Sequence, residues 1–406
     1  MVTARKNDSV SSELVIYIAP DCTDAAVYKR AHGLIGCGID LVSFSFRRSR
    51  YNSDFAPDWP DIELGFTKER KLLLRIFTLV RAVGIILMHR QVWRNAAVLY
   101  ARNLDLALLT LLAKFLTGCS GKFVYEVLDI HPASLRPGWR GKIVRWLERR
   151  VLARTSLLVV SSPAFLRNYF KPVQQYSGQT FLMSNKWPAR LLSNDSRKLE
   201  YNMNSSRQKW TIGWFGNIRC EASLVALRKL ADAYPDKVEV VIRGCLSLMD
   251  QTFFQNTIRD CKNIIYEGEY SAPRDLAEIY ARIHFNWCID LGGGNNSTWL
   301  LPNRIYEGGY FGIPAIAISS HETGTYVQKQ GLGIVLESLD SDCLSEKICN
   351  MTNQDYVDLR TSIEELPAGL FVDDGDFGEL TRRLFIGRQL KSSSLKSDSY
   401  AHVSRG

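Results

Sequence analysis

The chain has 406 residues, 46% of them hydrophobic and 23% charged, a balance that excludes fibrous and wholly disordered classes. This length exceeds what one hydrophobic core usually serves, so two domains are expected. The formal charge of +9 is unevenly divided, because residues 1–200 hold 30 Lys and Arg against 16 Asp and Glu; this surplus points to an anionic partner for the first half.

Residues 1–12 are polar, with no apolar run of the kind a secretory signal carries, so they are expected to be disordered and the protein cytoplasmic. The nine cysteines form no CxxC pair and no cluster with histidine at metal-binding spacing, which reads as reduced thiols and no metal site. From Leu14 onward, apolar runs alternate with helical-period segments: a strand to Ala19, a helix from Asp24 to Ile35, and a strand from Leu41 to Phe46. A helix over Lys68–His89, a strand over Ala97–Ala101, a helix over Leu104–Leu116 and a strand over Lys122–Leu128 follow. Next come a helix over Gly141–Ala153, a strand over Leu157–Ser161 and a short helix near Pro163. Leu72–Met88 and Leu104–Leu116 are the most apolar stretches, but both carry charges and fall short of the ~20 apolar residues that span a bilayer.

Periodicity is lost over 188–209, which reads as a linker between a domain at 13–187 and a second at 210–388. The second series of strands begins at Trp210–Phe215 and continues at Val238–Ile242, Asn263–Tyr266, His284–Ile289, Ile313–Ile318 and Gly333–Leu336. Residues 389–406 read as a disordered tail. The fold expected is α/β, two doubly wound Rossmann-like domains facing each other across a cleft, with ligands beyond the C-terminal ends of the strands.

His284–Ser319 is the most informative segment. A buried strand ends in Asp290, a glycine loop Gly292–Gly294 follows, and Pro302 opens a helix running through Asn303, Arg304, Glu307 and Gly308. Proline suits the first helical turn because its missing N–H costs nothing there, and the free N–H groups beside it attract phosphate. Arg304 adds a full charge in that turn. Glu307 lies four residues beyond Asn303 on one helical face, where a carboxylate can accept both hydroxyls of a ribose.

Leu301–Gly308, with Gly312-Ile313-Pro314, resembles the donor-site motif of GT-B glycosyltransferases of the family 4 type, particularly bacterial exopolysaccharide enzymes of the succinoglycan kind. The family carries two glutamates eight positions apart; Glu307 matches the second, which holds the ribose, and Trp299 stands in place of the first. Gly213–Arg219 resembles the first strand and loop of the donor domain, which implies that Gly216, Asn217 and Arg219 approach the diphosphate. Arg243 resembles a residue at the end of the next strand. Asn185-Lys186 resembles the segment before the interdomain crossing. In the first domain, Asp129 and His131 end a strand facing the cleft, where either is placed to take the acceptor's proton or orient the donor phosphate. The resemblance implies a nucleotide-sugar donor with no further cofactor, and a polyprenyl-diphosphate-linked oligosaccharide as acceptor.

Trp139, Trp146, Ile143, Leu147 and Val151 alternate with Arg140, Arg145, Arg149 and other basic residues, a basic amphipathic helix suited to an anionic membrane surface. The expected location is therefore peripheral, on the inner face of the plasma membrane. Asp374-Gly375-Asp376, an Asp-x-Asp of the kind metal-dependent transferases use, reads as a turn near the C-terminus. The first strand is followed by Ala19-Pro20-Asp21-Cys22 rather than GxGxxG, which disfavours a nicotinamide dehydrogenase. No nucleic-acid recognition motif accompanies the basic charge. Trp299 keeps one competing reading open, a catalytically degenerate GT-B protein that binds a sugar nucleotide or a partner transferase.

Overall fold

The computed structural model describes residues 14–47, 55–66, 72–192, 209–246 and 249–386, the side chains of 72–77 excepted. The expected disordered ends and most of the expected linker lie outside these residues.

Short runs of Val, Ile and Leu bounded by turn residues form strands buried on both faces, as parallel sheets require. In the first lobe, β1 (Val15–Ala19), β2 (Leu41–Arg47), β3 (Asp61–Phe66), β4 (Val98–Arg102), β5 (Lys122–Val127), β6 (Leu157–Val160) and β7 (Thr180–Leu182) form one sheet in the order 3-2-1-4-5-6-7. All its pairs are parallel. Every residue of β1 is buried: Ile16 and Ile18 face one core, Val15, Tyr17 and Ala19 the other.

The chain leaves through β8 (Trp187–Pro188) and enters a second parallel sheet. There β9 (Trp210–Asn217), β10 (Val238–Cys245), β11 (Ile264–Tyr266), β12 (Phe285–Trp287), β13 (Ala315–Ile318) and β14 (Gly333–Leu336) take the order 11-10-9-12-13-14. In each sheet the order reverses beside the first strand, which opens a crevice at the C-terminal strand ends. A return crossing, β15 (Val372–Asp373), pairs in parallel with β8.

The sequence expectation did not include the short strands β7, β8 and β15, and it departs from the structure at two further elements. The edge strand β3 was not foreseen, because Gly65 and alternating acids break its apolar run. The helix Asp376–Leu384, placed by sequence with the second domain, packs on the first: Phe377, Leu380 and Leu384 join Val27, Ala31 and Leu34 in one core. A Cβ at Gly33 would lie 2.0 Å from the Phe377 ring, so the glycine admits that helix.

Helix Ala25–Gly36, capped by the Asp24 carboxylate, places Arg30 within the apolar stripe of Val27, Ala31 and Leu34. There Arg30 Nε donates to Glu126 Oε1 at 2.7 Å, and Arg102 Nε donates to Glu126 Oε2 at 2.9 Å. Burial raises the Glu126 pKa, but Arg102 and Arg30 outweigh it and hold the carboxyl below its usual range.

Candidate active site between the lobes

The second lobe offers a cradle lined by backbone. Gly216 (φ +100°) and Gly244 (φ +138°) end adjacent strands in conformations that disfavour other residues, and a Cβ at Gly244 would lie 1.9 Å from the Gly216 carbonyl oxygen. Beyond β12, a Cβ at Gly292 would fall 2.9 Å from the Arg219 carbonyl oxygen. The helix spans Asn303–Tyr310 with Pro302 as its N-cap, one residue earlier in role than the sequence reading placed it. Its first N–H groups keep the same exposure to an anion.

Arg304 is 8% exposed, and its Nη1 donates to the Phe215 carbonyl at 3.2 Å. Among the described residues no carboxylate lies within ion-pair distance of it. Arg219 is paired: its Nε and Nη2 donate to Asp290 Oδ2 at 2.7 and 2.6 Å. Burial raises the Asp290 pKa, yet Arg219, helped by Arg304, brings it below the usual carboxylate range. His321 lies close enough for Asp290 to oppose the lowering of its pKa by burial.

Glu307 is buried, and both of its contacts fall on Oε1: Trp187 Nε1 donates at 3.0 Å and Lys29 Nζ at 3.4 Å. Asn303 is half-buried at the helix start, and Asn217 is exposed at the end of β9. Gly308 lets the helix meet β12, since a Cβ there would lie 2.4 Å from the Asn286 amide nitrogen, which donates to the Arg304 carbonyl at 2.6 Å. Arg243 is engaged elsewhere, 3.9 Å from Glu267 and donating to the Glu269 carbonyl.

From the first lobe, Asp129 is exposed after β5 and accepts from Asn296 Nδ2 at 2.7 Å, while the backbone N–H of Ile130 donates to Asn296 Oδ1 at 3.0 Å. Its charge is felt by Arg219, so Asp129 stands near the cradle. His131, also exposed, caps the Pro132–Leu135 helix, its Nδ1 accepting from the Ala133 N–H at 3.2 Å. Trp299 packs against the first-lobe core, and its carbonyl accepts from Ser162 Oγ at 2.5 Å. The position of the family's first glutamate is thus an interlobe contact.

Helix Gly138–Leu152 shows a basic aromatic face. Trp139 and Trp146 are 67% and 51% exposed, with Arg140 5.3 Å over the first ring and Arg150 4.9 Å over the second. Arg145 and Arg149 donate to the carbonyls of Ser134 and Val173, both at 2.8 Å. Helix Leu104–Thr117 packs beside it and exposes Leu112, Phe115 and Leu116. On the inner side, the Glu148 carboxyl is buried among Tyr125, Tyr169 and Gln174, all donating to it. Among the described residues no helix is long and apolar enough to cross a membrane.

Sequence reading passed over Lys29, Trp187, Asn296 and the pairing role of Asp290. Lys29 and Arg30 carried one signal, two basic residues within a helix whose neighbours at Val27, Ala31 and Leu34 are apolar. Trp187 and Asn296 carried none, because their partners lie 120 and 167 positions away.

No family model matches the chain. It is 33% identical over 379 residues to the succinoglycan biosynthesis protein ExoL of Rhizobium meliloti strain 1021, covering 91% of this chain and 93% of the relative. Among solved structures, sucrose-phosphate synthase of Thermosynechococcus elongatus superposes with TM-score 0.69 at 14% identity, over 92% of this chain and 100% of the other. HepE of Anabaena, in complex with UDP and glucose, gives 0.64 at 13% identity, over 91% and 99%. WaaG, a glycosyltransferase of lipopolysaccharide biosynthesis, gives 0.60 at 11%, over 91% and 99%. The fold is GT-B, as the sequence motifs implied.

Proposed function

Because the chain belongs to the ExoL family of succinoglycan biosynthesis proteins, we propose that it is a metal-independent glycosyltransferase that moves a hexosyl group from a nucleotide sugar to a lipid-linked saccharide. One observation carries this reading. Arg304 is a buried guanidinium with no carboxylate at ion-pair distance among the described residues, set in the first turn of a helix beside glycine-lined backbone. A buried cation is costly unless an anion completes it, and a nucleoside diphosphate has the size and charge to do so.

As the bond from the anomeric carbon to the diphosphate breaks, the leaving group gathers negative charge. Arg304, Arg219 and the helix N–H groups stabilise it. Asp290 orients Arg219, which turns to the phosphate of the donor. Glu307 accepts the ribose hydroxyls, and Asn303, Gly216 and Asn217 border the same cradle. Asp129, anchored to Asn296, accepts the proton of the attacking hydroxyl; His131, occupied as a helix cap, is the weaker candidate.

Transfer takes place at the inner face of the plasma membrane. Exposed Trp139, Ile143, Trp146 and Phe115 enter the interface while the flanking arginines meet anionic headgroups, which supports a polyprenyl-diphosphate-linked acceptor. Trp299, in place of a sugar-contacting glutamate, favours the competing reading of a protein that binds a sugar nucleotide without turnover. Radiolabelled nucleotide sugars incubated with purified protein and membrane-extracted acceptor decide between them. Label in the lipid-linked product supports transfer; bound donor with neither transfer nor hydrolysis establishes the degenerate protein; no binding of any nucleotide sugar overturns both.

A further inference from the structure

The carboxylate assigned to the ribose is held from the other lobe. Lys29 sits on a first-lobe helix, and its ammonium lies 4.3 Å from the centre of the Trp187 ring, 3.4 Å from Glu307 Oε1 and 3.0 Å from the Asn185 carbonyl oxygen. Trp187 belongs to β8, the outgoing crossing, which pairs with the return crossing β15. All three side chains are buried. Among the described residues nothing hydrogen-bonds Oε2, so one oxygen of Glu307 is fixed and the other is not.

We propose that Lys29 and Trp187 are positioning residues, which pin one oxygen of Glu307 across the lobe interface so that the other meets the ribose hydroxyls in fixed register. This rests on the assignment of Glu307 to the ribose. Three features support it. The lysine ammonium offsets the cost of burying a carboxylate, which is steep for a charge left unpaired. The indole N–H, from a ring packed in the core, sets direction where a flexible ammonium alone does not. Both groups sit on first-lobe or crossing elements, so Glu307 is correctly held only when the lobes are apposed. Donor recognition is thereby coupled to lobe closure.

The test is ribose discrimination. Calorimetry identifies the tightest binder among UDP, GDP, ADP and CDP, and compares it with its 2′,3′-dideoxy analogue. Wild type is expected to prefer the ribonucleotide by about tenfold or more, the scale of a hydrogen bond to a charged group. Glu307→Gln and Lys29→Met are expected to shrink that ratio to about threefold or less, with Lys29→Arg recovering part of it. A merely structural ion pair would weaken both ligands alike and keep the ratio, so a wild-type ratio in Lys29→Met overturns the proposal. If Glu307→Gln keeps the ratio, or wild type has none, the ribose assignment itself fails. Should Lys29→Met not fold, Trp187→Phe, which removes the N–H and keeps the ring, is expected to lose about half the preference on a logarithmic scale; an unchanged ratio there overturns the proposal equally.

Discussion

Glu126, on β5 of the first lobe, and Glu307, on the helix Asn303–Tyr310 of the second, are both buried carboxylates, yet they are completed differently. Each oxygen of Glu126 is taken by a separate guanidinium from a rigid element of the same lobe. Glu307 has one oxygen engaged, by a lysine and an indole reaching over from the other side of the interface. Burial penalises both charges, but only the first is fully repaid inside the folded chain. A saturated buried charge holds a lobe together, and under the proposed function an unsaturated one at the cleft is kept for a ligand. Arg304, likewise buried and with no carboxylate at ion-pair distance among the described residues, is grouped with the second kind in that proposal.

The contrast is sharpest in stability. Glu126→Gln leaves two buried guanidinium groups without their counter-charge and is expected to cost about 3–5 kcal/mol in denaturant unfolding. A cost below about 1 kcal/mol would mean that the cluster is hydrated and the contrast with Glu307 unfounded.

Asp129, exposed and held by one amide, provides the control on chemistry rather than binding. Asp129→Asn is expected to lower kcat about a hundredfold or more, with nucleoside diphosphate affinity kept, and His131→Ala to lower it by less than about threefold. The reverse pattern in steady-state rates would move the base to the histidine.

Next in size, Glu307→Ala and Arg304→Ala are each expected to reduce transfer by about tenfold or more with the chain still folded, Glu307→Ala also lowering the unfolding midpoint because it leaves buried Lys29 without its counter-charge. Full activity in both would remove the cradle as the donor site.

The smallest effect concerns Glu148, a third buried carboxyl, surrounded by hydroxyl and amide donors with no cation among them. Burial raises its pKa, and the hydrogen bonds of Tyr169, Tyr125 and Gln174 offset only part of that. The folded state therefore binds this proton more tightly than the unfolded one, and stability is lost as pH rises from the unfolded value through the folded one. Glu148→Gln is expected to match wild type in acid and to gain a melting-temperature advantage towards neutral pH. A difference that stays constant with pH would show a hydrated carboxyl.

Much of this was legible in the chain itself. Alternating apolar runs and helical stripes report which face of each segment leaves water, a local property, and so the strands around Ile16, Val240 and Ile316 and both doubly wound sheets followed from them. Pro302, Arg304 and Glu307 were legible because one helix turn sets their spacing. What only the tertiary structure decided are pairings between distant segments. It sent the helix Asp376–Leu384 back to the first lobe, turned Arg243 to Glu267, made Trp299 an interlobe contact, and brought Lys29 and Trp187 to Glu307 across 278 and 120 positions. Sequence periodicity records that a residue is buried, while which partner it meets there depends on how separately formed layers dock.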